Sequence, residues 1–481
     1  MRSPQVEPLH RTWIHSDRFV PRQFVRPALS FMKLEAASGI VMLIAAIAAV
    51  VWANTAFESY ENLLHTHTAI AFGSWHLELH LGHLINDGLM AIFFFVVALE
   101  IKRELVMGEL KDLRVAMLPV IAAVGGMAFP ALIYAGINRG DTAAMSGWAV
   151  PMATDIAFSA GVLSLLGRRV PVGAKLFLLT LAIVDDLGGI LVIAIFYAKG
   201  LALANLGIAF VGLALVALAS KAGIRHHAFY IPLAVVVWYF FYKSGVHATL
   251  AGVAMGFLTP ARPMYSAKEL DVKARKVLDT YPANGETVED REHADYEALQ
   301  LSDVARESVS PLMRAEHRLA KWAAFAIIPV FALANAGVRF EGSVVDSLLS
   351  APALGVALGL VLGKTIGISL FTVTGLKLGL GRLPAGMNLR HLVGAAATAG
   401  IGFTVALFIT ALAYTDTVIA NEAKVGIFVG SIVAGILGAV IFLTAPKAKD
   451  EAGVEEMADR APTEAEWQSH RPELVGAASH E

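Results

Sequence analysis

Cysteine is absent from the 481 residues, which excludes disulfide frameworks, thiolate metal sites and cysteine-based redox chemistry. Charge is scarce: Asp, Glu, Lys and Arg make up 16% of the chain, against about 25% in an ordinary soluble protein. What charge there is nearly cancels, at a formal −2, so there is no basic surplus for nucleic acid. An early apolar segment is also missing. Residues 1–33 are polar and basic, and the first apolar run opens near Leu34. A secretory signal carries its apolar core sooner and ends on small residues, so no cleaved signal is expected.

What is plentiful is apolar sequence, 56% of the chain. Crossing a bilayer takes roughly 20 mostly apolar residues as a helix. Twelve runs fit, at 34–54, 83–101, 115–137, 146–166, 175–198, 201–219, 228–242, 246–260, 321–337, 352–373, 391–413 and 424–445, the seventh and eighth being short. The expected fold is an all-α polytopic membrane protein of twelve transmembrane helices.

Positive charge orients it, since short cytoplasmic segments collect Lys and Arg. With both ends inside, the cytoplasmic segments hold Arg2, Arg11, Arg18, Arg22, Arg26, Lys33, Lys102, Arg103, Lys111 and Arg114 in the first part of the chain. They continue with Arg168, Arg169, Lys175, Lys221, Arg225, Lys377, Arg382, Arg390, Lys447 and Lys449. The opposite side keeps only Arg139, Lys199, Lys243, Arg339 and Lys424. Three stretches then lie outside the bilayer: a basic cytoplasmic arm at 1–33, a charged insert at 261–317 that its composition marks as flexible, and a polar, acidic tail from 446 to 481. Helices one to eight fall in 34–260 and helices nine to twelve in 318–445.

In AFGSWHLELHL (71–81), Trp75, Leu77, Leu79 and Leu81 alternate with His76, Glu78 and His80, the period of a strand. Gly73-Ser74 supplies a turn and HTHTAIA a partner strand, which gives an external β-hairpin over about 66–81 with an edge open to a second copy. His65, His67, His76, His80 and His83 also invite a metal-site reading, but three of them belong to the polar face of the strands and the adjoining loop.

The most informative stretch is LAIVDDLGGI, where Asp185 and Asp186 sit in a run that is otherwise apolar from Leu176 to Ala198. Ionisable groups inside a membrane span are costly and mark function. They are few here: Asp155 in GWAVPMATDIAFSAG, the Asp185–Asp186 pair, Lys364 in LGLVLGKTIGISLF, His247 in SGVHATLAG, and Asp87 and Glu100 towards opposite ends of the second span. A purely structural salt-bridge network is the plain alternative. Three acids against one base leave a surplus of negative charge, which is a place for an added cation. Adjacent helix positions point about 100° apart, so one acid can pair with Lys364 while the other faces an aqueous cavity. Acids able to carry either a proton or a metal ion couple the movements of the two by competition.

GLVLGKT (359–365) imitates a phosphate-binding loop, but the spacing is one residue short and no strand or nucleotide domain surrounds it. ATP-driven pumping is therefore excluded. No carbonyl-filter sequence of the TVGYG kind supports a cation channel. Two spans look interrupted, the fourth at Pro151, Ala153 and Thr154 and the eleventh at Gly394, Gly400 and Gly402. Such breaks in corresponding halves point to discontinuous helices that meet near the midplane, whose facing ends an acid and a base can compensate. Two Gly-rich packing faces are the alternative.

ATDIAF (153–158), AIVDDLG (182–188), SGVHATLAG (244–252), LGKTIGISLF (362–371) and GIGFTVALFI (400–409) resemble the NhaA-type bacterial sodium/proton antiporters. So do INDGLMAIFF (85–94), ALEIKREL (98–105) and LANAGV (333–338), and the resemblance runs from about Ser38 to Ala445. It implies inverted repeats with discontinuous fourth and eleventh helices, an architecture this family itself helped to define.

The resemblance further implies that Asp186 is the principal sodium ligand and Asp185 the proton carrier paired with Lys364. Thr154 contributes to ion coordination, Asp155 and Lys364 compensate helix ends, and Gly400 and Gly402 mark the crossing of the eleventh helix. Glu100, Glu104, Glu316, His317 and His247 match positions of pH response, and the hairpin matches a dimer contact.

The implied activity is electrogenic exchange of sodium or lithium for protons by alternating access in the bacterial inner membrane. It needs no cofactor, catalytic residue or nucleic acid, only the lipid bilayer and a homodimer partner. A sodium-coupled solute symporter of related fold is the alternative. One departure stands out: residue 365 is Thr where the family leads one to expect Pro.

Overall fold

The computed structural model describes residues 37–72, 75–198, 200–281, 287–339 and 344–446. The basic arm, the acidic tail, the Gly73-Ser74 turn and Lys199 lie outside the described residues.

Among the described residues, eight helices are long and apolar enough to cross a bilayer. They are α1 (Ala37–Thr55), α3 (Leu81–Met107), α4 (Leu113–Ile137), α7 (Val172–Phe196), α8 (Leu203–Lys221), α13 (Pro311–Asn335), α14 (Ala351–Lys377) and α17 (Thr417–Thr444). Two bent pairs add to these: α5 (Thr142–Met152) with α6 (Ile156–Leu166) at 45°, and α15 (Leu389–Thr398) with α16 (Phe403–Ala413) at 46°. Two shorter apolar helices, α9 (His227–Ser244) and α10 (Thr249–Leu258), complete the set. Between α1 and α3 a short helix, α2 (Phe57–Leu64), leads into an antiparallel pair of strands, β1 (His67–Phe72) and β2 (Trp75–His80), with His67 opposite His80. Among the described residues no three metal-ligating side chains converge. The His65 ring instead bonds Glu61 of its own helix.

Lipid tails are as apolar as leucine, so helices in a membrane associate through close packing and small residues rather than the hydrophobic effect. The α4–α14 contact shows it. A β-carbon on Gly125 would stand 2.3 Å from the Gly367 carbonyl oxygen, and one on Gly367 would stand 2.2 Å from that of Gly125. Only glycine lets the two backbones touch, and this contact carries Lys364 towards the centre of the molecule.

The insert departs from the expectation of a flexible segment. It folds as two helices packed on each other, α11 (Ala267–Thr280) and α12 (Val288–Glu307). Both open with capping boxes, Ser266 with Glu269 and Thr287 with Asp290, and such reciprocal bonds satisfy the free N–H groups of a first turn. Net composition outweighed these local signals in the sequence reading. Glu307, the last residue of α12, accepts from Arg225 Nη1 at 2.9 Å and from Arg314 Nη1 at 3.1 Å. Partial burial alone lifts the Glu307 carboxyl, but the bonds from Arg314 and Arg225 outweigh it and hold the group below the usual range. The ninth run also differs from expectation. Its helix begins at Pro311, ten residues before the apolar run at 321, because RAEHRLAK continues the helix beyond the apolar part.

Candidate functional site

The site is built where the two bent pairs meet. α5 closes at Met152, just after Pro151; Ala153 then takes ψ 145° and Asp155 takes ψ 102°, so the chain is extended between α5 and α6. The backbone groups this frees find partners across the break. Asp155 N–H donates to the Ile401 carbonyl at 2.6 Å. The hydroxyls of Thr154 and Ser159 donate to the carbonyls of Ala399 and Thr398, at 2.9 and 3.1 Å. Glycine is required on the other side. A β-carbon on Gly402 would lie 2.8 Å from Leu360 Cδ2 and 2.9 Å from the Ala153 carbonyl, and one on Gly400 would lie 2.4 Å from the Leu360 carbonyl.

Asp155, 3% exposed, serves both helix starts. Its Oδ1 accepts the Phe158 N–H at 3.0 Å, capping α6, while Oδ2 accepts the Thr404 N–H at 3.1 Å and the Thr404 hydroxyl at 2.5 Å, capping α16. N-terminal helix ends carry partial positive charge and unsatisfied donors, so one carboxylate stabilises two of them. Ser431 supports the same joint by accepting the Gly402 N–H at 3.3 Å. Sequence reasoning overlooked Thr404 and Ser431, because a hydroxyl in an apolar helix can simply bond its own backbone.

Lys364, 1% exposed, donates from Nζ to Asp185 Oδ2 at 2.5 Å and to Thr154 Oγ1 at 2.9 Å. Its bonds run to those two side chains rather than to helix-end carbonyls. Asp185 and Asp186 share a cavity of about 10 Å³ with Met127, Ala149, Met152, Ala153, Gly189, Val192, Val405 and Ile409, a volume on the scale of one water-sized particle. Two oxygen features there are unusual. Asp185 Oδ1 is buried without a hydrogen-bond partner among the described residues. Asp186 receives no hydrogen bond from any described residue. The cavity thus presents carboxylate oxygens that lack donors, while Asp155 and Thr154 do not line it and have their bonds committed.

The five residues matched to pH response do not form one group. Arg103 joins two of them, donating to Glu316 and, from Nη2 at 3.0 Å, to Glu104. Glu316 Oε2 is buried without a hydrogen-bond partner among the described residues, and His317, its neighbour in sequence, is exposed. Glu100 lies one turn before Glu104 on α3. His247 lies just before the start of α10, where its Nε2 donates to the Tyr197 carbonyl at 2.8 Å.

Known proteins resemble this chain over most of its length. The family model described as Na+/H+ antiporter 1 matches residues 29–442. A protein named Na(+)/H(+) antiporter NhaA from Anaeromyxobacter sp. is 45% identical over 435 residues, covering 90% of this chain and 94% of its own. One named NhaA 2 from Sorangium cellulosum is 40% identical, covering 95% and 97%, and the NhaA of an Escherichia coli strain is 42% identical, covering 85% and 95%. With its many apolar helices, the chain is a multi-pass membrane protein, and it belongs to the Na+/H+ antiporter 1 family.

Proposed function

We propose that this antiporter exports sodium or lithium in exchange for protons, with both ions competing for the Asp185–Asp186 pair. The observation that carries this reading is the unequal partnering of three buried acids. Asp155 has both oxygens bonded, Asp185 has one, and Asp186 has none from the described residues. A desolvated carboxylate without donors is unstable as a bare charge, and either a proton or a small cation relieves it. Deprotonated, the pair draws a cation into the cavity. Protonated, it releases one. Lys364 keeps Asp185 anionic while paired, and separation of the two frees Asp185 to take a proton.

The bent pairs are read as the discontinuous fourth and eleventh spans. Counting α9 and α10 as short spans gives twelve, with both termini on the cytoplasmic side of a bacterial inner membrane. Exchange proceeds by alternating access as a core bundle carrying α5–α7 and α14–α16, the fourth, fifth, tenth and eleventh spans, moves against the rest, driven by inward proton flow. The β1–β2 pair, a two-stranded sheet with open edges, is the proposed homodimer contact. A single cysteine at His67→Cys in the cysteine-free chain should then cross-link between copies, and failure to do so in the membrane overturns that contact.

The exchange is tested in everted vesicles that accumulate protons, by following a pH-sensitive dye as sodium, lithium or potassium is added. Wild type should collapse the gradient with sodium, and Asp186→Asn should lose the response at every pH between about 6.5 and 8.5 while inserting normally, as expected when the competing site itself is removed. A wild type that leaves the gradient untouched overturns the reading.

A further inference from the structure

The outer face of α12 has no partner among the described residues, and its chemistry specifies one. Ala294, Glu297, Leu301 and Val304 turn inward, buried or half-buried, on the side where α11 packs. On the opposite side, at helical spacing, lie Val288, Glu292, Tyr296, Leu299 and Asp303, flanked by Asp295. Val288, Tyr296 and Leu299 are 72%, 59% and 67% exposed. A helix packed on one face ordinarily turns a polar face to water. This one presents a second apolar stripe, bordered by acids.

The chain itself contains a complementary segment. Residues 18–26 read RFVPRQFVR, with Arg18, Arg22 and Arg26 interleaved with Phe19, Val20, Phe24 and Val25. It precedes α1, and the structure fixes the side on which α1 starts. Asn54, at the end of α1, donates to the Val338 carbonyl at 2.7 Å, and Tyr60 donates to the carbonyls of Leu333 and Ala334. The ends of α1 and α13 therefore coincide, the two helices run parallel, and Ala37 lies on the same side as Pro311. That is the side of the insert, whose helix α12 ends at Glu307, bonded to Arg314 of α13. Between Arg26 and Ala37 the extended chain reaches about 36 Å, more than the roughly 30 Å length of a 20-residue helix such as α12.

We propose that the basic, aromatic segment 18–26 docks along the outward stripe of α12, its arginines against Glu292, Asp295 and Asp303 and its apolar side chains against Tyr296 and Leu299. Recognition of an acid-bordered apolar helix face by a basic, apolar segment is ordinary peptide recognition. The contact joins the start of α1 to the insert and so bridges two parts of the chain that are far apart in sequence.

The absence of cysteine makes the test clean. In the full chain, purified in detergent and reconstituted in both zwitterionic and anionic vesicles, Gln23→Cys is combined with Ser302→Cys on the stripe edge. The control pairs Gln23→Cys with Leu380→Cys, which lies after α14. Oxidation should cross-link residues 23 and 302 within one chain several-fold more than the control pair, in all three settings. Charge reversal at Glu292, Asp295 and Asp303 to Arg should reduce the yield to the control level. Reversal of Arg18, Arg22 and Arg26 to Glu in the same chain should restore it, a result that misfolding cannot mimic. A yield no higher than control overturns the proposal. So do cross-links found only between chains, which indicate a second copy, and loss confined to anionic vesicles, which indicates the membrane surface.

Discussion

The three buried acids of the candidate site are treated in opposite ways. At the break, Asp155 receives two backbone N–H groups and a hydroxyl, and none of its oxygens is idle. In the cavity, Asp186 receives nothing from the described residues and Asp185 keeps one oxygen bare. Burial is nearly the same for Asp155 and Asp185, at 3% and 4% exposure. Depth in the molecule therefore does not separate Asp155 from the pair proposed above to exchange ions. Hydrogen-bond saturation does: a carboxylate whose donors are fixed has no use for a proton or a cation, and one without donors needs either.

The contrast can be broken in order of expected effect. The largest change follows removal of the base. Lys364→Met leaves Asp185 buried without its counter-charge, and losing one member of a buried pair costs about 3–5 kcal/mol. The melting temperature in detergent should fall sharply, and adding Asp185→Leu should recover most of it. No recovery would mean that Lys364 holds the fold through Thr154 rather than through the ion pair.

Next is Asp155→Ala, which orphans the Phe158 and Thr404 N–H groups together. At about 1–3 kcal/mol for each buried unsatisfied donor, the loss should approach that of Lys364→Met. By contrast, Asp186→Asn should leave the melting temperature nearly unchanged, since it removes no hydrogen bond. Equal destabilisation by the two substitutions would erase the distinction between the two acids.

Thr404→Val should cost about 1 kcal/mol, because the hydroxyl goes while the backbone donor to Asp155 remains, and Thr404→Ser should restore stability. The smallest effect belongs to Glu307→Gln on the insert. Its carboxyl is held below the usual range, so ionisation in the folded chain is favoured relative to the unfolded one. The stabilisation it gives is present above the ordinary Glu value of about 4.3 and fades as the pH falls through the depressed value. Comparing melting temperatures of wild type and Glu307→Gln from pH 7 down to about 3, the difference should be within about 1 kcal/mol and shrink in acid. A difference that grows in acid contradicts the assignment.

Much of the site was legible because membrane sequence is monotonous. Against Leu, Ile, Ala and Gly, the residues Asp155, Asp185, Asp186 and Lys364 stand out one by one, and Pro151 and Gly402 mark the breaks. Residues that look ordinary were not legible. Thr404 and Ser431 act through bonds across 249 and 29 positions of sequence, which no local pattern announces. In the sequence Arg103 looks like one more cytoplasmic charge, although it joins Glu104 to Glu316. The helical insert was missed for a different reason. Its average composition outweighed the capping boxes at Ser266 and Thr287, which were in plain view.

The mutual approach of Gly125 and Gly367 has a consequence for how this chain tolerates change. A mutational map of a soluble protein is darkest at its large core side chains, where truncation opens a cavity. Here, adding a single methyl group at either glycine would drive a carbon into a carbonyl oxygen, while many large apolar side chains, such as Ile195 at 69% exposure, lie on the outside. The least replaceable positions in this molecule will therefore be among its smallest residues, and growth rather than loss of a side chain will be the commoner way to inactivate it.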